Sequence, residues 1–317
     1  MKKKKLILPL LILAVLISAC GTDELKAEVQ AAVDAYNADV DSYNEKIKPY
    51  NEAVALINDS NTELQGLLDA AQEVINKGEE PYDSTTLDNL KMALSDAGKA
   101  KVSVPEAIEE IETISVPEEA KKNELKELNV QTALAAEELA GKVIPETPEV
   151  PDYSANLTEV KEAQKYYENS IQSLKQITAP ADDFVKERLQ RVSTITAMDA
   201  VTEDHDPNGQ LNKQGGYIGC IYFTDSQVNR SELYIEDGKD SVIDIGTDGG
   251  GAIEIFATVE EAKVRDTYLG SFDGMGALSS GSHYVEGTCI IRTSTYLTGT
   301  QQKDLTSKIK EALIAID

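Results

Sequence analysis

A heptad repeat near the start of the chain limits most strictly what this sequence can fold into. Side chains recur at alternating spacings of four and three residues, and all of them except Asn61 are apolar or aromatic. This stripe predicts one long helix packed against a neighbouring helix, because a single helix cannot bury it alone. Three tyrosines occupy stripe positions, which favours packing over ligand stacking. The stripe consists of Val29, Val33, Tyr36, Val40, Tyr43, Ile47, Tyr50, Val54, Ile57, Asn61, Leu64, Leu68, Ala71 and Ile75.

The segment after this helix predicts a second, returning helical arm. Lys77-Gly78 and the turn at 81–84 end the first helix, and helical periodicity resumes at Leu87. New helix starts are expected at Pro105 and Pro117, because Pro followed by Glu suits a first helical turn. We therefore predict a long antiparallel helical hairpin or bundle over residues 20–144.

Three prolines at intervals of three residues follow the hairpin. Pro145, Pro148 and Pro151 favour an extended, polyproline-like linker over residues 145–156. A further helix of the bundle is expected over residues 157–179, where apolar side chains recur at helical spacing.

Composition changes after residue 180, where glycine becomes frequent and short apolar runs replace heptads. Strands are expected at 217–224, at 252–257, at 283–293 and on both sides of the turn at 237–240. Two helices are expected after the capping residues Thr258 and Thr298. Strands in succession followed by helix, strand and helix predict an α+β domain over residues 180–317, with an antiparallel sheet covered on one face by two helices.

The first twenty residues predict export and lipid anchoring. Four lysines precede an apolar run from Leu6 to Ile17, which is typical of a secretory signal peptide over residues 1–19. Ile17-Ser18-Ala19-Cys20 resembles the bacterial lipobox, in which the cysteine becomes the acylated first residue. Two or three acyl chains on Cys20 would hold the protein on the extracellular face of the cell membrane. The alternative is an ordinary secreted protein whose cysteine happens to lie near the cleavage site.

The charge of the chain argues against nucleic acid as a partner. The formal net charge is -26, and removal of the four lysines changes it to -30. Binding to phosphate requires clustered Lys and Arg, whereas here acidic residues are spread along the chain. Anionic lipid headgroups should be repelled as well.

Two further cysteines lie in apolar runs of the second domain. An extracytoplasmic location would permit a disulfide between Cys220 and Cys289. The alternative is that both are small core residues, a common role of free cysteine.

A calcium site is one interpretation of the loop TEDHDPNGQL. Asp204, Asp206 and Asn208 with Gly209 match the opening of a calcium-binding loop, in which alternating side chains direct oxygen atoms at one ion. The twelfth position, however, is Gly215, where a bidentate Glu belongs. The alternative is a pair of turns, with an Asp side chain bonded to local backbone.

No catalytic constellation is evident, so we predict that the chain is not an enzyme and requires no cofactor other than a possible calcium ion. It contains only two histidines. In SSGSH a Ser and His283 are adjacent in sequence, which is not how triad partners usually meet. The run GTDGGG lacks the Lys of a phosphate-binding loop, which favours a connection between strands.

Several of these motifs occur together in a known family. The runs AVTEDHDPNGQLNKQGGY, GTDGGGAIEIF, LSSGSH and CIIRTS resemble a family of Gram-positive surface lipoproteins of uncharacterised function. The helical half resembles, more loosely, the Ebh-like repeats of giant extracellular-matrix-binding surface proteins. The resemblance implies a cell-surface lipoprotein but implies no catalytic residue and no ligand.

Two functional hypotheses follow. In the first, a non-enzymatic lipoprotein displays an α+β binding module on a helical stalk, with a protein or cell-wall component as its partner. In the second, the chain is an extracytoplasmic sensor of a small ligand or of the cell wall, with a calcium-stabilised loop.

Overall fold

The computed structural model describes residues 21–274 and 281–317. The predicted signal peptide and the lipidation residue Cys20 lie outside this range. The chain forms two compact units. Unit 1 comprises the chain up to Asp69 together with Asp96–Leu157, and unit 2 comprises Ala70–Ser95 and Thr158–Asp317. The predicted α+β class is confirmed, because long helices occur with one antiparallel sheet. Within the described ranges, no helix has the length and apolarity needed to cross a membrane.

The long first helix is confirmed. Helix α1 spans Thr22–Asn76 and continues through Pro49. Val29, Val40 and Ile47 of the heptad stripe are completely buried, so the stripe is the packed face of the helix. The three tyrosines lie on that face too, as the packing interpretation predicts.

The predicted helical return arm is only partly correct. Helix α2 spans Thr85–Ala100 and helix α3 spans Lys122–Gly141, whereas residues 101–121 contain neither helix nor strand. The helix starts predicted at Pro105 and Pro117 are therefore wrong. From Pro105 to Ile114 every third residue is half-buried and the residues between are exposed. Such a period of three belongs to an extended, polyproline-like chain, not to a helix of 3.6 residues per turn.

Side-chain amides of α1 satisfy the backbone of this extended chain. Three asparagines each donate from Nδ2 to one isoleucine carbonyl and accept that isoleucine's N–H at Oδ1, with all distances between 2.8 and 3.0 Å. We call these pairs the asparagine clamps. They are Asn37 with Ile114, Asn44 with Ile111, and Asn51 with Ile108.

Hydrogen bonds explain why the polar residue Asn61 occupies a position in the heptad stripe. Asn61 donates to the carbonyl of Val102 at 2.9 Å and accepts the Tyr153 hydroxyl at 2.8 Å. That hydroxyl accepts the N–H of Val102 at 2.9 Å. Residues 142–153, which include most of the predicted linker, contain neither helix nor strand, and helix α4 follows over Ser154–Gln176.

Unit 2 begins earlier than the predicted boundary at residue 180, because it also contains the end of α1, most of α2 and all but the first four residues of α4. Ile177 is buried in the core of the sheet, and its carbonyl accepts the N–H of Thr288 at 2.9 Å. Composition changes near 180, but burial of the preceding apolar side chains extends the unit towards the N-terminus.

Unit 2 contains a five-stranded antiparallel sheet with the strand order β1-β2-β3-β5-β4. After helix α5, Asp182–Leu189, the strands are β1 Ile195–Ala200, β2 Gly219–Asp225, β3 Gly250–Ile255, β4 Ser282–Glu286 and β5 Cys289–Thr293. The single strand predicted over 283–293 is thus a hairpin that turns at Gly287, where φ is +60°. The hairpin predicted around 237–240 is wrong, because Ser241 caps the short helix α6, Val242–Ile245, instead.

Helices cover both faces of the sheet, and not one face as predicted. Helix α5 and helix α8, Gly299–Ile314, pack on the face that contains Ile221 and Ile253. Helix α6 and helix α7, Val259–Gly270, pack on the face that contains Tyr222. The central strands are therefore buried on both sides. The capping boxes predicted at Thr258 and Thr298 are confirmed, since each hydroxyl accepts the N–H three residues on.

Candidate ligand-binding cleft

The loop TEDHDPNGQL is organised around one carboxylate. Asp206 accepts the backbone N–H groups of Asn208, Gln210 and Leu211 at 3.0, 2.6 and 2.8 Å. It also accepts the hydroxyl of Tyr217 at 2.5 Å. Since Asp side chains readily bond backbone a few residues ahead, an Asp placed before Pro and Asn-Gly folds the loop over itself.

These bonds have the geometry of the turn interpretation, and the calcium interpretation of the loop stays a prediction. Both oxygens of Asp206 are bonded to protein donors, and the N–H of Gly209 donates to the Asp206 carbonyl at 3.1 Å. The side chain of Asn208 donates to the Tyr222 hydroxyl at 2.9 Å, so it too has a protein partner. Across the part of the chain that the structure describes, no three His, Cys, Asp or Glu residues are grouped so that they could hold a metal ion. Of the predicted ligands, only Asp204 is left as an exposed carboxylate.

The Asp206 interactions also determine the charge states of the loop. Burial disfavours the ionised carboxylate, but the hydrogen bonds from Tyr217 and the backbone outweigh this and hold the pKa of Asp206 below its usual value. Burial, and then the bond to Asp206, raises the pKa of Tyr217. The pair is therefore an anionic acceptor with a neutral phenol donor at neutral pH.

A cleft of about 470 Å³ opens between this loop and α7. It combines amide groups, aromatic rings and one guanidinium, as binding sites for small polar molecules do. The residues that line it include Asn208, Gln210, Tyr217, Phe256, Arg265 and Tyr268. We call this cavity the Tyr217–Arg265 cleft.

A buried ionic network forms the base beneath Arg265. Arg265 donates from Nε and Nη2 to the two oxygens of Glu254, each at 2.8 Å, and Arg292 donates from Nη1 to Oε1 at 2.8 Å. Glu254 is completely buried. Burial would raise the pKa of this carboxyl, but the two guanidinium groups outweigh it and lower the pKa. Two guanidinium cations therefore share one buried carboxylate beneath the cleft.

Aromatic side chains of α7 and of the turn that follows it lie beside Arg265. The Arg265 guanidinium lies 5.4 Å from the centre of the Tyr268 ring, and the Tyr268 and Phe272 rings pack edge to face at 5.2 Å. Tyr268 is 55% exposed, so its ring is held in place yet open to a ligand. Both contacts restrict the ring before any ligand arrives, which lowers the entropic cost of binding.

The glycine run GTDGGG allows neighbouring strands to lie close together. This agrees with its interpretation as a connection between strands. A Cβ atom on Gly251 would clash with the backbone carbonyl of Arg292, and one on Gly250 would lie 2.5 Å from the backbone nitrogen of Asp225. These glycines thus allow β3 to lie against both neighbouring strands.

The predicted disulfide between Cys220 and Cys289 is wrong. Both cysteines are free and completely buried. They pair with different residues of β3, and their side chains belong to the cores on opposite faces of the sheet. Burial raises the pKa of Cys289 to about 12, so this thiol is inert at neutral pH.

The sequence singled out the loop that lines this candidate cleft but gave no indication of Glu254, Arg265 and Tyr268. A signal existed in the strand AIEIF, where Glu254 is a single charge inside an apolar run. A charge in a strand that is buried on both faces requires a cationic partner. Comparisons of the chain with protein-family models, with curated proteins and with solved structures each find no match. The resemblance to surface lipoproteins therefore stays a prediction.

Proposed function

We propose that the protein is a non-enzymatic cell-surface lipoprotein that binds a small carboxylate-bearing ligand in the Tyr217–Arg265 cleft. The observation that carries this proposal is the hydrogen bonding of Arg265. Its Nε and Nη2 are held by Glu254, whereas Nη1 makes no hydrogen bond to any described residue. A guanidinium that is fixed on one edge and has free N–H groups on another can bind an anionic oxygen of a ligand. Such a hydrogen bond is stronger than one between two neutral groups, because both partners are charged.

The remaining lining groups favour a polar ligand with a flat or ring-shaped body. The exposed ring of Tyr268 offers a stacking surface, and the side chains of Asn208 and Gln210 offer amide donors and acceptors. A sugar acid or a short cell-wall fragment has this combination of ring, carboxylate and hydrogen-bonding groups.

The charge states in the cleft support binding more than proton transfer. Asp206 and Glu254 each accept several hydrogen bonds and have lowered pKa values, and Tyr217 has a raised pKa. Groups that are held firmly in one protonation state near neutral pH make poor acid–base catalysts. The lipobox at residues 17–20 supports membrane anchoring through Cys20 as part of the same proposal.

We expect N-acetylmuramate to bind the full chain at least about fivefold more tightly than N-acetylglucosamine, which lacks the carboxylate. Replacing Tyr268 by alanine should weaken that binding by about 2- to 12-fold, since contact with an aromatic ring is worth about 0.5–1.5 kcal/mol. Isothermal titration calorimetry measures both effects.

Tyr234→Ala is the matched control, because Tyr234 is 91% exposed and does not line the cleft. This substitution should leave the dissociation constant unchanged. Equal loss of binding in the Tyr234 and Tyr268 variants, or equal affinity for the two sugars, would contradict the proposal.

A further inference from the structure

The two amide side chains of the Tyr217–Arg265 cleft are each held by the nitrogen atom. Nδ2 of Asn208 donates to the hydroxyl of Tyr222 at 2.9 Å, and Nε2 of Gln210 donates to the backbone carbonyl of Asn208 at 3.3 Å. Within the described ranges, neither Oδ1 of Asn208 nor Oε1 of Gln210 accepts a hydrogen bond from a protein group. Both amides therefore keep an unused acceptor oxygen for a ligand.

The neighbours of each amide determine which of its ends is the nitrogen. The Tyr217 hydroxyl gives its proton to Asp206 at 2.5 Å, so towards Asn208 it can only accept. Burial raises the pKa of the Tyr217 and Tyr222 hydroxyls, and hydrogen bonding from Asn208 opposes both rises, as a donor nitrogen should. Gln210 faces a backbone carbonyl, which is an acceptor only. Turning either amide over would bring its oxygen against an oxygen that has no proton to offer.

The cleft thus combines one cationic donor with two carbonyl acceptors. Arg265 can bind a carboxylate, whereas Asn208 and Gln210 can bind a group that donates hydrogen bonds. We propose that the cleft is specific for a zwitterion, whose carboxylate binds Arg265 and whose ammonium group binds the side-chain oxygens of Asn208 and Gln210. This inference rests on the carboxylate binding proposed above and adds the second charge of the ligand.

An ammonium group fits the two oxygens better than a neutral donor does. It has three N–H donors and no acceptor, so it can bond to both oxygens at once, whereas an acetamido N–H or a hydroxyl supplies one proton. Its hydrogen bonds are charge-assisted, which makes them about twice as strong as neutral ones. The ionised Asp206 accepts the backbone N–H groups of Asn208 and Gln210, so a negative charge lies beside both amides and favours a cation.

The loop holds the two acceptors in place before a ligand binds. Asp206 fixes the backbone of Asn208 at 3.0 Å and that of Gln210 at 2.6 Å, and each side chain is tied by its own nitrogen. A Cβ atom on Gly216 would clash with the backbone carbonyl of Gln210, so glycine allows the chain to lie against the loop at this point. Groups that are already ordered cost less entropy on binding.

Four related sugars separate the two charges of the ligand. Muramate carries an ammonium group and a carboxylate, N-acetylmuramate only the carboxylate, glucosamine only the ammonium group, and N-acetylglucosamine neither. Calorimetric titrations use the full-length protein at a pH at which the amines are protonated. We expect muramate to bind at least about tenfold more tightly than N-acetylmuramate, because its ammonium group forms charge-assisted hydrogen bonds.

A charge substitution at one acceptor tests the assignment of the ammonium group. Gln210→Glu keeps the side-chain length and an acceptor oxygen but adds a negative charge. The preference for muramate over N-acetylmuramate should then increase by at least about fivefold, because the added charge attracts the ammonium group at short range. A general effect on folding would weaken both ligands alike and leave this preference unchanged.

Gln214→Glu is the matched control, because Gln214 is exposed and precedes Gly215 but does not itself line the cleft. It adds the same charge nearby and should change the preference by less than about twofold, since solvent screens exposed charges. Equal changes in the Gln210 and Gln214 variants would overturn the assignment of the ammonium group to these oxygens.

The outcomes with the four sugars distinguish this inference from the proposed function. If N-acetylmuramate binds more tightly than N-acetylglucosamine but as tightly as muramate, carboxylate binding stands and the zwitterion inference is overturned. If muramate binds no more tightly than glucosamine, and N-acetylmuramate no more tightly than N-acetylglucosamine, the carboxylate site itself is contradicted and the zwitterion inference is lost with it.

Discussion

Replacing Glu254 by alanine should lower the free energy of unfolding of unit 2 by about 3–5 kcal/mol, which is the usual cost of removing one partner from a buried ion pair. The substitution leaves the guanidinium groups of Arg265 and Arg292 without their shared acceptor. Arg292 already has a buried Nε without a partner, so it cannot compensate locally. Hydrogen exchange of the β2, β3 and β5 amides in the full chain measures the loss for this unit alone.

Glu236→Ala is the matched control in the same unit. Glu236 forms an ion pair with Lys239 at 2.8 Å, but both side chains are more than half exposed. Its loss should cost less than about 1 kcal/mol, because solvent screens exposed pairs. If Glu254→Ala and Glu236→Ala had similar effects, the buried network would not support the sheet and the cleft as described.

The pH dependence of stability follows from the lowered pKa of Glu254. The ordinary value is 4.5, and the folded value lies below it. The ionised carboxylate therefore stabilises the fold fully above pH 4.5, and this contribution is lost as the pH falls through the folded pKa. Glu254→Gln should show a shallower loss of stability below pH 4.5 than the wild type.

Replacing Asp206 by alanine should lower stability by about 2–3 kcal/mol and abolish ligand binding in the cleft. The variant leaves the buried Tyr217 hydroxyl without its acceptor and removes the carboxylate that accepts three loop N–H groups, and hydrogen bonds to a charged group are worth about 1.5–3 kcal/mol. Since the same loop lines the cleft with Asn208 and Gln210, its disorder removes the site as well. Thermal denaturation and calorimetry with N-acetylmuramate measure the two effects.

Asp204→Ala distinguishes this account from the calcium interpretation. Asp204 is exposed and two residues away, so its substitution should change stability by less than about 0.5 kcal/mol. A calcium loop would require both carboxylates, and the two variants would then show equal losses that depend on calcium. Such a result would contradict the turn described here.

The sequence predicted the fold best where the buried side chains recur at one regular spacing. The heptad stripe predicted α1 well, and the capping residues Thr258 and Thr298 predicted where α7 and α8 begin. The prediction failed at residues 101–121, because Pro followed by Glu suits a first helical turn but does not require one. The asparagines at positions 37, 44 and 51 would have predicted an extended partner, since each lies beside the packed stripe and offers both a donor and an acceptor.

The candidate site was less predictable because its parts come from distant elements. The alternation of Asp204, Asp206 and Asn208 identified the loop, but which oxygens were already bonded depended on Tyr217. The pairing of Glu254 with Arg265 depends on how α7 packs on the sheet, which no local pattern encodes. The position of Cys220 relative to Cys289 could not be predicted for the same reason. Strand order and register place the two side chains on opposite faces of the sheet.

The central claim is that the Tyr217–Arg265 cleft binds a carboxylate-bearing ligand, and an NMR titration tests it most directly. N-acetylmuramate is added to isotopically labelled full-length protein, and the amide shifts are mapped on the structure. The account predicts saturable shifts at Gly215, Gly216, Tyr217 and Arg265, and none at Tyr234. Shifts that are absent, that do not saturate, or that lie away from the cleft would contradict it.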